Sequence, residues 1–146
     1  MSDYYSNIVV GTDGTKSSLL AVERAAKMAA AFDATLIIGS AYYESEEEAS
    51  KTLRQDSVTV LGDDTAQKNL DAAKEFAEQW AKTVETKIRR GTPVQALMEI
   101  VKEVDAELLV VGNRGINSLT GRLLGSVPAD VARQSDCDVM IVHTVG

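Results

Sequence analysis

Four glycines fall between Gly112 and Gly125, and Ser126 follows the last of them. The stretch GNRGINSLTGRLLGSVP comes directly after the apolar run ELLVV. Glycines in such a place serve a tight turn, or they let backbone approach a ligand closely. Gly112, Gly115 and Gly125 would together admit a phosphate to the main chain. Ser126 would cap the helix that follows, with the N–H groups of Ser126 and Val127 pointing outward to meet it. Arg114 and Arg122 lie inside the same loop and are the charged candidates for a phosphate contact. A single glycine would be read as an ordinary turn. Three glycines and a capping serine in one loop are read as phosphate binding.

A second candidate is the segment GTDGTKS near the start. It looks like a phosphate-binding P-loop but fails the test. That motif needs glycine directly before its lysine, and Thr15 precedes Lys16. No GxGxxG occurs either. Asp13 follows the first apolar run. A carboxylate there can accept from ribose hydroxyls, or help hold Mg²⁺ beside a polyphosphate. It can equally stabilise its own turn or the next helix, and both roles stay open. The only histidine, His143, and the only cysteine, Cys137, build no nucleophile or metal set. His143 is expected in packing or at the surface, and Cys137 as a small buried apolar group. Trp80 falls on an apolar helical stripe. Arg89 and Arg90 read as solvated charge, with phosphate contact as the lesser alternative.

These residues need elements to position them. YSNIVVGTDG, ATLIIGSAYY, VETKIRRG, AELLVVG and CDVMIVHTVG read as strands. Between the first two, Leu19, Val22, Ala26 and Ala29 share a helical face, with Thr15 or Ser17 as cap. Residues 44–63 are polar and acidic, which predicts a long loop with a helical piece. From Asp64 an apolar stripe runs through Ala66, Leu70, Ala73, Ala77, Trp80 and Val84. In TPVQALMEIVKEV, Thr92 is the expected N-cap, Pro93 the first helical residue and Gln95 the capping-box partner. SVPADVARQS is the last helix, where Pro128 is tolerated in the first turn. The alternation predicts an α/β fold with a parallel sheet covered by helices on both faces. Such sheets bind ligands at the carboxyl ends of their strands, near the point where strand order reverses.

The totals agree with one such domain over residues 1–146. Hydrophobic residues make up 45% and charged residues 25% of the chain, ordinary values for a globular protein. The net charge of −7 and the lack of a basic stripe argue against nucleic acid as a partner. No apolar run approaches the roughly 18 residues that a membrane span requires. The N-terminus shows no signal-peptide pattern, and a lone cysteine fits a reducing compartment, so a cytoplasmic protein is expected.

The spacing Gly112-x2-Gly115-x9-Gly125-Ser126 resembles the G-x2-G-x9-G-(S/T) signature of the ATP-binding branch of the universal stress protein family. The similarity covers nearly the whole chain, including NIVVGTDGTKSSLLAVERA, ATLIIGSAY, DAELLVVGNRG and GSVPADVARQSDCDVMIVHT. The resemblance implies a five-stranded Rossmann-like sheet of the adenine nucleotide alpha hydrolase type, a homodimer, and an adenine nucleotide in the strand-end cleft. It implies that Gly11, Thr12 and Asp13 line the nucleoside and that the backbone around Ser40 and Ala41 meets the adenine edge. Gly112, Asn113, Arg114, Gly115, Ile116, Asn117 and Ser118 would wrap the phosphates and ribose. Gly125, Ser126 and Val127 would close the site. Gly11 stands where many relatives carry proline, at a position that contributes backbone and space. IIGSAYY and GRLLGSVPADV are similar to mycobacterial-type members, some of which prefer cyclic AMP to ATP, so either nucleotide is expected.

The leading reading is an adenine-nucleotide-binding stress or signalling module with no catalytic residue. The alternatives are a slow Mg²⁺-dependent ATPase and a nucleotide-free interaction module. The intact glycine signature argues against the latter, and GTDG is not the HIGH-type motif of nucleotidyl-transferases. ATP would need Mg²⁺, shared with Asp13, to offset its charge in so acidic a protein. Cyclic AMP carries one charge and needs only a helix N-terminus and a few N–H groups. The apolar last strand is expected at a sheet edge, paired with the same strand of a second copy.

Overall fold

Uninterrupted β-branched and aliphatic runs suit strands buried on both faces. In the computed structural model, which describes residues 5–50, 60–113 and 135–144, these runs form β1 (Asn7–Gly11), β2 (Thr35–Tyr42), β3 (Thr83–Arg90), β4 (Leu108–Gly112) and β5 (Asp138–Val142). All neighbours pair in parallel, in the order β3-β2-β1-β4-β5. This is the expected five-stranded α/β sheet. Strands β1 to β3 run outward in one direction. The chain then crosses back to lay β4 on the other side of β1, so the order reverses between β1 and β4.

The described helices are α1 (Lys16–Phe32), α2 (Glu46–Ser50), α3 (Asp63–Ala77) and α4 (Pro93–Val104). The helices α1 and α3 lie on one face of the sheet and α4 on the other. Two separate apolar clusters record this. Ile8, Val10, Leu36 and Ile38 pack with Val22, Ala25 and Ala29 of α1 and Leu70 and Ala73 of α3. Val9, Ile37 and Leu109 pack with Leu97, Ile100 and Val101 of α4. Successive residues of β1 thus alternate between the two cores, as the two-residue period of a strand requires.

Capping follows the sequence closely. Thr15, not Ser17, is the N-cap of α1, and its Oγ1 accepts from the Ser18 N–H at 3.1 Å. Thr92 caps α4 by accepting from the Gln95 N–H at 3.2 Å, with Pro93 in the first helical position. Thr92→Ala should therefore cost about 1 kcal/mol. The expected readout is a lower urea midpoint at unchanged slope; an unmoved midpoint would show that the cap adds nothing.

Two expectations need correction. The helical stripe from Asp64 does not extend to Trp80 and Val84, because α3 ends at Ala77. The Gln79 and Trp80 N–H groups turn back to the carbonyls of Phe76 and Ala77. Trp80 lies edge-on to Phe76, with ring centroids 5.1 Å apart, and Val84 belongs to β3. The apolar spacing simply continued across the turn. Cys137 is half-buried rather than buried, with its sulfur 3.2 Å from Ser135 Oγ. The polar segment after β2 does contain a helical piece, α2, as expected. The helix expected over 126–135 lies outside the described residues.

Candidate functional site

The reversal between β1 and β4 brings the ends of both strands together, and the sequence candidates on them meet there. At the end of β1, the Thr12 N–H donates to the Gly39 carbonyl at 2.9 Å, which carries the β1–β2 pairing one residue further. The Thr12 side chain is buried. Its Oγ1 lies 3.0 Å from Ser18 Oγ and accepts from the Gly14 N–H at 3.2 Å. Asp13 Oδ1 accepts from both the N–H and the hydroxyl of Thr15, at 3.0 and 2.6 Å. The turn-stabilising role of Asp13 is therefore present. Among the described residues these bonds fall on Oδ1.

At the end of β4, Asn113 is buried and its N–H donates to the Val142 carbonyl at 2.8 Å. Its side-chain oxygen accepts from the Thr144 N–H at 2.7 Å and from the Thr144 hydroxyl at 3.0 Å. Thr144 Oγ1 in turn accepts from Ser17 Oγ at 2.7 Å. The first turn of α1, the end of β4 and the residues after β5 are thus joined by hydroxyl and amide hydrogen bonds. A Cβ on Gly112 would lie 3.1 Å from Thr144 Cγ2, so this glycine also serves the packing of Thr144. Sequence reasoning missed the Ser17–Thr144 contact. No local signal links residues so far apart, and the sequence marks Ser17 only as a candidate cap.

On the neighbouring strand, Ser40 is buried and Ala41 half-buried, one and two places past the Gly11–Gly39 pair. Among the described residues, the buried Ser40 Oγ has no hydrogen-bond partner. Arg89 and Arg90, at the end of β3, remain solvated charges as expected, each also facing a carboxylate. Arg89 pairs with Glu103, and Arg90 Nε lies 2.9 Å from Glu48 Oε1. Hydrogen bonding from Lys87, with Arg89 beside it, holds the Glu103 carboxyl below its usual range. At the opposite end of the sheet, a hydrogen bond to Asp138 raises the Tyr5 phenol. Arg114, Gly115, Ile116, Asn117, Ser118, Arg122, Gly125, Ser126 and Val127 lie outside the described residues. The structure therefore brings together Gly11, Thr12, Asp13, Gly112 and Asn113, with Ser40 and Ala41 alongside.

The chain is similar to known proteins in sequence and fold. The sequence profile of the Universal stress protein family matches residues 4–143. Universal stress protein Rv1636 of Mycobacterium tuberculosis is 49% identical over 143 residues, covering 96% of this chain and 97% of that protein. Universal stress protein MJ0531 of Methanocaldococcus jannaschii is 31% identical, over 94% of this chain and 82% of that protein. Among solved structures, a universal stress protein in complex with cAMP superimposes with a TM-score of 0.75 at 44% identity, covering 98% of this chain and 100% of that one. No helix among the described residues is long and apolar enough to cross a membrane.

Proposed function

Because the chain belongs to the universal stress protein family, we propose that it binds an adenine nucleotide where β1 and β4 end. In that role it is a stress or signalling module that binds its nucleotide rather than turning it over. One observation carries the reading: Gly11–Asp13 and Gly112–Asn113 converge at the reversal of strand order, where open α/β sheets take their ligands. The 44% identical relative solved with cAMP supports it.

Asp13 and the backbone of Gly11 and Thr12 would meet the ribose, and Ser40 and Ala41 the adenine edge. Arg114, Gly115, Ile116, Asn117, Ser118, Gly125, Ser126 and Val127 would complete the phosphate side. Both ATP and cyclic AMP are proposed ligands. With ATP, Asp13 would share a Mg²⁺ that offsets phosphate charge. A homodimer through β5 would cover an edge strand, and the single cysteine accords with a cytoplasmic setting.

Mass spectrometry of nucleotide released from the natively purified protein is the test of the reading. An adenine nucleotide at near-stoichiometric amount supports it; no bound nucleotide, together with no heat on titrating ATP or cyclic AMP, would sink it. Chelation by EDTA should weaken ATP far more than cyclic AMP, and Asp13→Ala should narrow that difference. Gly125→Ala and Gly115→Val should each weaken nucleotide binding at least tenfold, about 1.4 kcal/mol, with helical content unchanged. Titration calorimetry on the folded variants decides that, and unaltered affinity would remove the phosphate role of these glycines.

A further inference from the structure

The two edges of the sheet are built differently. β3 and β5 are its outer strands. An outer strand turns alternate N–H and C=O groups away from its neighbour, and such a row is a template for another strand. Just past the end of β3, the Gly91 N–H donates inward to the Tyr42 carbonyl at 2.8 Å. By alternation Lys87 and Arg89 also turn their backbone groups toward β2, and Thr86, Ile88 and Arg90 turn theirs outward.

The outward carbonyl of Ile88 is nevertheless occupied, because Arg89 Nη1 donates to it at 2.8 Å. The same guanidinium pairs with Glu103 of α4, and its Nε lies 3.9 Å from Glu99. Lys87 Nζ meets Glu103 at 2.8 Å from the same strand. The carboxylates of α4 thus hold the Arg89 head over the backbone edge. β5 has no counterpart to this. The Asp138 N–H and the Val142 carbonyl bond inward, to Glu107 and Asn113, so Val139 and Ile141 turn their backbone groups outward. Among the described residues no side chain meets those groups. Val139, Met140 and Ile141 also carry no charge.

We propose that Arg89 guards the edge of β3 against strand addition, so that pairing between copies of this chain is left to β5. A sheet with two open edges can add copies without end, because pairing through one edge leaves the other exposed. Closing one edge makes the assembly finite. A strand arriving at β3 has to displace the guanidinium from the Ile88 carbonyl and cover a charged group, and both steps oppose it. The inference concerns assembly and holds whatever ligand the protein takes.

Arg89→Thr tests it, followed by sedimentation velocity over a range of concentrations. Threonine keeps a strand-forming side chain and removes the head that meets the carbonyl. The change takes the net charge of −7 further from zero, which by itself opposes association. Species larger than the wild-type assembly should appear at concentrations at least about tenfold below those at which the wild type forms any. Thr86→Pro removes an outward N–H and leaves the ladder to β2 intact, so adding it to Arg89→Thr should reverse the association. Lys87→Thr removes a cation that meets no outward carbonyl, and should keep the wild-type size. Amide hydrogen exchange locates the contact: Thr86 and Ile88 should become protected in the Arg89→Thr assembly. An Arg89→Thr protein of wild-type size at every concentration overturns the inference. So do larger species that leave the Thr86 and Ile88 amides unprotected, or equal association of Lys87→Thr. If Arg89→Thr does not fold, Glu99→Gln combined with Glu103→Gln releases the guanidinium with β3 unchanged, and the same size and exchange measurements decide.

Discussion

Gly14→Val is expected to be the most damaging single change at the proposed site. Gly14 sits in the turn between β1 and α1 with φ of 86°, a conformation that disfavours any L side chain. A Cβ there would also lie 2.6 Å from Asn69 Oδ1 on α3. The backbone strain costs about 1–2 kcal/mol, and the contact adds less, because the obstacle is the end of a half-buried side chain that can turn aside. Stability should fall by about 1–3 kcal/mol. The turn carries Thr12 and Asp13, so nucleotide affinity should fall at least about tenfold, about 1.4 kcal/mol. Adding Asn69→Ala should restore the packing share but not the strain, because the Asn69 side chain is the obstacle and the φ angle is unchanged. Equilibrium unfolding of the single and double variants separates the two terms. A Gly14→Val protein with wild-type midpoint and affinity would show that the turn neither resists a side chain nor serves the ligand.

The second large effect is expected in the core that supports the site. Ile38 is fully buried in β2, in the cluster that includes Val10, Val22, Leu70 and Ala73. Its strand continues to Ser40 and Ala41. Ile38→Ala should cost about 2–5 kcal/mol and Ile38→Val about 0.5–1.5 kcal/mol, the spread depending on how far the neighbours close the cavity. Unfolding must be measured without nucleotide, because a ligand that binds only the native state adds its own stabilisation. A loss below about 1 kcal/mol for Ile38→Ala would mean that α1 and α3 are not closely packed on that face of the sheet.

Much of this fold is legible in particular residues. The period-two placement of Ile8, Val9 and Val10 between two cores is written in an unbroken β-branched run. Thr92 and Pro93 mark the start of α4 because capping chemistry is local. The end of α3 is not legible in that way. Trp80 and Val84 keep the helical spacing while the backbone has already turned, and the turn depends on Trp80 packing against Phe76. At the site, Asp13 and Gly112 stand out by type and by position at strand ends, and Asn113 enters through the family resemblance. Ser17 and Thr144 do not stand out. Their roles arise from contacts across the sheet, between residues such as 17 and 144, and no periodicity encodes such a pairing. Arg89 and Arg90 illustrate the same limit. Their carboxylate partners come from α4 and from the segment after β2, which only the tertiary structure brings near.

Amide chemical shifts followed during a cyclic AMP titration test the proposed location most directly. Binding at the reversal of strand order should move Gly11, Thr12, Asp13, Gly112 and Asn113 along one saturable curve. Asn7, Glu107 and Asp138, at the opposite end of the sheet, should stay in place. Saturable shifts at that opposite end, with Gly11–Asp13 and Gly112–Asn113 unmoved, would contradict a nucleotide site between β1 and β4.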